Sequence, residues 1–256
     1  MKACGITDVG LQRHENQDTF AVEHGTADGQ IIAVVCDGMG GENSGQVASR
    51  LAVRTFLEEM HAVLRADMNA QQLREAAAYC VSKANTAVNR HAAEHAECRG
   101  MGTTLVSAVT CGNTAIVCNI GDSRAYRLGG GRVERITRDH SVVEGLIASG
   151  NITAEQARTH PNRNLITRAL GPETSIVCDV YEVALAPGEA LLLCSDGLVV
   201  TVRDEEMLET VLRGAAPEES LEQLLQLSKQ RGAPDNVTAV LLYDDMEGKE
   251  GEAWIK

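Results

Sequence analysis

Aspartates stand at the boundaries of short apolar runs five times in this chain, and four of them adjoin Gly or Asn. They are Asp18 in Arg13-His14-Glu15-Asn16-Gln17-Asp18, Asp37 in Asp37-Gly38-Met39-Gly40-Gly41, Asp122 in Asn119-Ile120-Gly121-Asp122-Ser123-Arg124, Asp196 in Ser195-Asp196-Gly197, and Asp235 in Pro234-Asp235-Asn236. A carboxylate at the end of a buried strand is costly unless something neutralises it. Several that converge repel one another and cannot all ionise at pH 7. Divalent cations such as Mg²⁺ and Mn²⁺ remove the conflict, because they prefer oxygen ligands and keep several waters. Any single Asp-Gly is an ordinary turn signal. Five such positions, far apart in sequence, favour a fold that gathers strand ends at one place.

The runs themselves set the fold class. Strand-length apolar stretches occupy 19–22, 31–36, 104–110, 114–120, 124–128, 176–183, 190–194 and 237–243, each bounded by Gly, Asp, Asn or Pro. Cys111-Gly112-Asn113 joins two of them, and Gly129-Gly130-Gly131 reads as a hairpin tip, so the pairing is antiparallel. Two long helices are expected side by side over 44–66 and 69–97, from apolar residues at helical spacing such as Val47, Leu51, Met60 and Leu64, then Leu73, Ala77, Cys80, Ala84 and Val88. A shorter helix is expected from Thr201–Asp204 to Gly214, and another opens at Pro217 with Leu221, Leu224, Leu225 and Ser228 on one face. Strands in hairpins and helices in pairs read as α+β, two antiparallel sheets packed together with helix pairs outside. One domain is expected over 1–243, with a flap insertion at about 139–171 and an acidic tail at 244–256. Within the flap, Thr153-Ala154-Glu155-Gln156 is a capping box.

Composition narrows the partners. A net charge of −13 repels phosphate backbones and anionic lipid, so nucleic acid and membrane are not expected partners. With aromatics at 3%, the chain also lacks the stacking surface that single-stranded nucleic acid needs. No apolar run reaches the roughly 18–20 residues of a spanning helix, and no signal peptide opens the chain, so a cytoplasmic location is expected. The eight cysteines form no C-x-x-C pair, and several lie in apolar runs, which suits buried thiols in a reducing compartment. Ser123 and Ser195 lack the Gly-x-Ser-x-Gly elbow of a serine nucleophile. His91 and His95 have metal-like i, i+4 spacing, but no Glu follows His91, so a solvated helix face is the expectation.

In order along the chain, Arg13-x-x-Asn16-Gln17-Asp18, Asp37-Gly38-Met39-Gly40-Gly41, Met101-Gly102-Thr103-Thr104, Asn119-x-Gly121-Asp122-Ser123-Arg124, Ser195-Asp196-Gly197 and Asp235-Asn236-Val237-Thr238 resemble the motifs of the PPM family. These are the metal-dependent, type 2C protein serine/threonine phosphatases, and the bacterial branch is the nearest in pattern. The resemblance runs from about residue 5 to 242. It implies a four-layer α-β-β-α sandwich with a two-metal centre at one end. Asp37 would bridge both Mn²⁺ or Mg²⁺ ions, the Gly38 carbonyl would serve one, and Asp196 and Asp235 the other. Asp122 would help hold a weaker third ion. Gln17 and Asp18 would orient water around the metals, and Arg13 would hold the substrate phosphate, which its planar fork suits. Asp37 and Arg13 would thus carry the chemistry, in which water acidified between two cations attacks phosphorus in line.

Three departures from the family pattern stand out. Met39 replaces a His found in some members, Gln17 a frequent Glu, and Val200 a second Asp four residues after the first. The implied activity is dephosphorylation of phosphoserine and phosphothreonine in cytoplasmic proteins by a monomer, reversing a cognate bacterial eukaryotic-like Ser/Thr kinase. The alternatives are a catalytically weak pseudophosphatase or phosphoprotein-binding module, and a hydrolase of small phosphoesters.

Overall fold

The computed structural model describes residues 1–27, 29–41, 44–213 and 216–244, the side chains of 212 and 213 excepted. In chain order the elements are β1 (Lys2–Asp8), β2 (Asp18–His24), β3 (Ile31–Met39), α1 (Ser44–Val63), α2 (Ala70–Glu94), β4 (Gly102–Thr103), β5 (Leu105–Cys111), β6 (Thr114–Ile120), β7 (Arg124–Gly129), β8 (Arg132–Arg135), α3 (Val142–Ala148), α4 (Ala154–Arg158), β9 (Asp179–Ala184), β10 (Ala190–Cys194), α5 (Asp196–Thr201), α6 (Asp204–Arg213), α7 (Pro217–Gln230) and β11 (Val237–Tyr243). One sheet runs β1-β11-β10-β7-β8 and the other β2-β3-β5-β6-β9, with the two-residue β4 against β3. All pairings are antiparallel.

Why four layers follows from the two-residue period of the strands. In β3, Ile32, Val34 and Cys36 pack with Phe56, Met60, Leu73 and Ala84 of α1 and α2, while Ile31, Ala33 and Val35 enter the core between the sheets. β10 and β11 do the same on the other side. Leu191, Leu193, Val240 and Leu242 face the β2-β3-β5-β6-β9 sheet, while Leu192, Cys194, Ala239 and Leu241 pack against Leu198, Met207, Leu221 and Leu224 of α5, α6 and α7. Strands with two apolar faces need cover on both, and the helices supply it. The α+β sandwich expected from the sequence is the fold observed.

Several elements differ from expectation. β1 is a half-exposed edge strand whose apolar signal is weak; its Gly5 leaves room for the Phe20 ring, which a Cβ would strike. β8 is a four-residue edge strand of mostly charged residues. Thr201 ends a helix instead of starting one, because α5 already occupies Asp196–Thr201, and the next helix begins at Asp204. Gly214 and residues 245–256 of the tail lie outside the described residues. α2 begins with a full capping box between Asn69 and Gln72. α4 begins with the expected one between Thr153 and Gln156. The segment between β8 and β9 carries α3 and α4 and returns to the body beside Thr103, which bridges to Leu170.

Phe56 is fully buried between α1 and the sheet. Phe56→Ala is predicted to cost about 3–5 kcal/mol, the usual range for emptying such a site. Urea unfolding checks this, and a loss below about 1 kcal/mol would mean that the helix layer repacks freely around the gap.

Candidate metal-dependent phosphatase site

At one end of the sandwich the inward-facing rows change from aliphatic to polar. Below Phe20 and Val35 the paired residues of β2 and β3 are Asp18 and Asp37. Thr104 and Asn119 continue the rows of β5 and β6. Ser195 follows Leu193, and Thr238 and Asn236 follow Val240. The aspartates thus arrive on strand ends, as their sequence context suggested, and residues distant in sequence are brought onto one cleft.

Hydrogen bonds fix the backbone under Asp37. Its N–H donates to Thr104 Oγ1 at 2.9 Å, and its carbonyl accepts from the Thr103 hydroxyl and the Thr104 N–H, both at 2.8 Å. Gly38 N–H donates to the Gln17 carbonyl at 3.1 Å. A Cβ on Gly38 would collide with the Gly45 carbonyl, and one on Gly197 with the Asn236 carbonyl. Here glycine serves close backbone approach. Asn236 binds three strands of chain together, accepting from Gln17 N–H at 2.8 Å and donating to the carbonyls of Val9 and Glu15 at 2.9 Å. Ser195 caps α5 without a side-chain cap bond. Its hydroxyl donates instead to Asp18 Oδ2 at 2.7 Å and accepts from Thr238 N–H at 3.0 Å.

The carboxylates disturb one another strongly. Burial pushes the Asp37 carboxyl well above the usual range, and the charges of Asp18, Asp196, Asp122 and Asp235 push the same way. Burial raises Asp18 to about 7, against hydrogen bonds from Thr238 and Ser195 that favour its charge. Burial, then the neighbouring Asp196 and Asp139, raise Asp122 to about 8. Burial and Asp235 raise Asp196 to about 6. Oδ1 of Asp18 and Oδ1 of Asp196 are buried without a hydrogen-bond partner. Arg13 Nη2 donates to Asp235 Oδ2 at 2.8 Å across the mouth of the cleft, with both side chains partly exposed. An ion pair this exposed is worth little, so a ligand entering the cleft can exchange it.

Asp122 sits in the turn after β6. Gly121, with φ of +99°, has its N–H on His140 Nδ1 at 3.1 Å and its carbonyl on His140 N–H at 2.8 Å. Two residues on, Arg124 pairs with Asp139 at 2.7 Å. The cleft, of about 870 Å³, is lined by Arg13, Gln17, Asp37, Gly38, Asp122, Asp196 and Asp235. Met39, His14 and the flap residues Asn164 and Ile166 also line it. Asp18 is buried behind this surface. Among the described residues no three His, Cys, Asp or Glu side chains close into a cage of their own. An open site built from one or two carboxylates per ion, with water completing the shell, is what Mg²⁺ and Mn²⁺ commonly use. All-oxygen donors, orphaned carboxylate oxygens and raised carboxyl pKa values fit divalent cations. His91 and His95 stack on each other at 3.9 Å on α2 instead of joining this site.

Residues 12–241 match the family model for protein phosphatase 2C. The chain belongs to the protein phosphatase 2C family. It is 35% identical over 250 residues to the serine/threonine phosphatase stp of Listeria monocytogenes, covering 96% of this chain and 97% of that one. The crystal structure of the serine/threonine phosphatase Stp1 from Staphylococcus aureus superposes with a TM-score of 0.89 at 33% identity, over 95% of each chain. A catalytic domain of the serine/threonine phosphatase PstP, in complex with two manganese ions, does so with a TM-score of 0.80 at 34% identity, over 94% of this chain and 96% of that one. The chain is therefore a protein serine/threonine phosphatase, of a type whose members are metal-dependent. Sequence reasoning missed His140 and Asp139, since a lone polar residue in a loop carries no pattern until the fold supplies its partners, and it placed Asn236 in a motif without seeing that it anchors the Arg13 segment.

The raised carboxyl pKa values give a signed prediction. These groups hold protons more tightly in the folded protein than unfolded, where an Asp titrates near 3.9. Their contribution to stability is whole below that value and is lost as pH rises through the folded values of about 6, 7 and 8. Metal-free protein should therefore show a lower Tm at about pH 8.5 than at about pH 5.5. Mn²⁺ should raise Tm markedly at the higher pH and little at the lower, because cation and proton compete for the same oxygens. Scanning fluorimetry decides; a Mn²⁺ shift independent of pH would contradict it.

Proposed function

We propose that this phosphatase hydrolyses phosphoserine and phosphothreonine in cytoplasmic proteins with two divalent cations, Mn²⁺ or Mg²⁺, held by Asp37, the Gly38 carbonyl, Asp196 and Asp235. Asp122 helps hold a weaker third. The observation that carries this reading is the convergence of strongly perturbed carboxyls on and just behind one cleft of a protein phosphatase 2C chain, two of them, Asp196 and the underlying Asp18, with orphaned buried oxygens. When bound, such ions acidify a water and draw charge from the phosphoryl oxygens.

The chain's own residues supply the rest. The threonine hydroxyls and glycine contacts under Asp37 and Gly38 hold the ligating oxygens in place, which spares the reaction that reorganisation. Asp18, fixed by Ser195 beside Asp37, and Gln17 accept hydrogen bonds from water in the cleft. Asp235, now paired with Arg13, would hold a cation instead, which would free the Arg13 guanidinium to bind two phosphate oxygens. Met39 lines the cleft with no proton to give, so the leaving alkoxide takes its proton from water. A shallow, open cleft with an exposed Arg13 suits phosphorylated side chains on protein surfaces. A bacterial eukaryotic-like Ser/Thr kinase is the enzyme whose products it would consume, and the chain acts as a monomer.

Release of phosphate from a phosphothreonine peptide is predicted to fall to background with chelator and to return with Mn²⁺ or Mg²⁺. Undiminished turnover in chelator would reject the metal mechanism.

Val200 gives a second prediction. It lies four residues after Asp196 on α5, hence on the same helix face, and is 58% exposed. It lines a smaller cleft of about 350 Å³ together with Asp122 and Asp196. A valine there accepts no hydrogen bond from water around the cations. Losing such an outer partner costs about 10–100-fold in metal affinity or activity. Val200→Asp is expected to shift the Mn²⁺ activation curve to lower concentration, and superimposed curves would rule out that role for position 200.

A further inference from the structure

Both ends of the flap close on one residue. His140 N–H and carbonyl bind Gly121 and Thr167 respectively: the N–H donates to the Gly121 carbonyl at 2.8 Å, and the carbonyl accepts from Thr167 N–H at 2.7 Å. Ser141 bridges to Ile166, so the two stalks of the flap pair immediately beyond. The ring of His140 is 7% exposed and wired at both nitrogens. Nδ1 faces the Gly121 N–H at 3.1 Å, and Nε2 lies 3.3 Å from Asp179 Oδ2. Arg168 Nη1 is 3.1 Å from Nε2 and also donates to Asp179 Oδ1 at 3.0 Å.

The backbone contact decides the tautomer, because the Arg168 side chain is half exposed and can turn Nη1 away from Nε2, whereas the Gly121 N–H is fixed in its turn. A backbone N–H can only donate, so Nδ1 must be bare to accept from Gly121. The proton then sits on Nε2 and goes to Asp179. The opposite tautomer would set Nδ1–H against Gly121 N–H in a buried turn. Burial also lowers the pKa of the ring and keeps it neutral. Asp179, at the start of β9 and paired in register with Asn119 of β6, belongs to the rigid sheet. Asn119 Nδ2 adds a bond to the Arg138 carbonyl at 3.2 Å.

We infer that His140 is a positioning residue: held by Asp179 as the Nε2–H tautomer, it locks the Gly121–Asp122 turn to the root of the flap. Asp122 and the cleft-lining flap residues Asn164 and Ile166 are thereby kept in one relation. The Arg124–Asp139 pair closes the other side of the same turn, so Asp122 lies between two clasps. The inference rests on the role proposed for Asp122.

Two substitutions separate this role from simple packing. His140→Asn puts a carbonyl oxygen where Nδ1 lies and can still accept from Gly121. His140→Gln is closer to histidine in size but carries its oxygen near Nε2 and leaves Gly121 without a partner. The clasp predicts that His140→Gln lowers kcat for p-nitrophenyl phosphate about tenfold with KM little changed, since losing an outer-shell partner typically costs 10–100-fold. His140→Asn should retain most of the activity. The Gly121 amide, followed by hydrogen exchange in NMR spectra, should stay protected in wild type and the Asn variant and lose protection in the Gln variant. A packing role predicts the reverse order of activities, with Gln at least as good as Asn. That order, or unchanged Gly121 protection in His140→Gln, overturns the inference. If Asp122→Ala turns over normally while Gly121 protection follows the predicted order, the clasp holds and the role given to Asp122 is the part that fails.

Discussion

The repulsion among carboxylates at one end of the inter-sheet core governs how this protein is built. Asp18, Asp37, Asp122 and Asp196 are each costly to ionise where they stand, and burial contributes more to that cost than any neighbour. Such a cluster survives only if surrounding structure holds it against its own field. That structure is visible: the Thr103 and Thr104 hydroxyls beneath Asp37, Ser195 on Asp18, Asn236 joining three segments, and His140 and Arg124 around Asp122. The aliphatic remainder of the sandwich provides the stability against which this local cost is set.

Much of this was legible in the sequence, for identifiable reasons. Strand-length apolar runs joined by tight turns announced antiparallel sheets, and the helical stripes at Leu73, Ala77, Cys80 and Ala84 showed what covered one of them. The aspartates were visible because a charge at the end of an aliphatic run is anomalous whatever the fold. The elements that escaped have weak local signals. β1 is polar and half exposed, and β8 has only four residues. α5 is Asp-Gly-Leu-Val-Val-Thr, in which Leu198 alone is a strong helix former. It exists because Leu198 packs in the outer core and the helix end must meet β11, where Gly197 passes against Asn236.

The unseen part of the site consists of long-range polar contacts. Asp139 meets Arg124 across fifteen residues and His140 meets Gly121 across nineteen. Neither pair has a spacing rule, since each depends on the flap leaving and re-entering the sheet at the same point. The sequence motif marks Asp122, but only the fold shows what keeps it there. Ser195 illustrates the same limit: the sequence shows only that it lacks a nucleophile elbow, whereas in the fold it stands before α5 with its hydroxyl committed to Asp18.

The pairing of β1 with β11 brings residues 2–8 against residues 237–243. Between β1 and β2, the segment carrying Arg13 and Gln17 is anchored by Asn236, just before β11. During synthesis the helical hairpin and the β2-β3-β5-β6 sheet can assemble early, because their contacts lie within the first half of the chain. Arg13, Asp18 and Asp37 then wait for Asp235 and Asn236, which lie much further along the chain. A ribosome-bound fragment that stops before residue 235 can therefore own a folded sheet and four of the five aspartates while the segment carrying Arg13 and Gln17 still lacks its anchor.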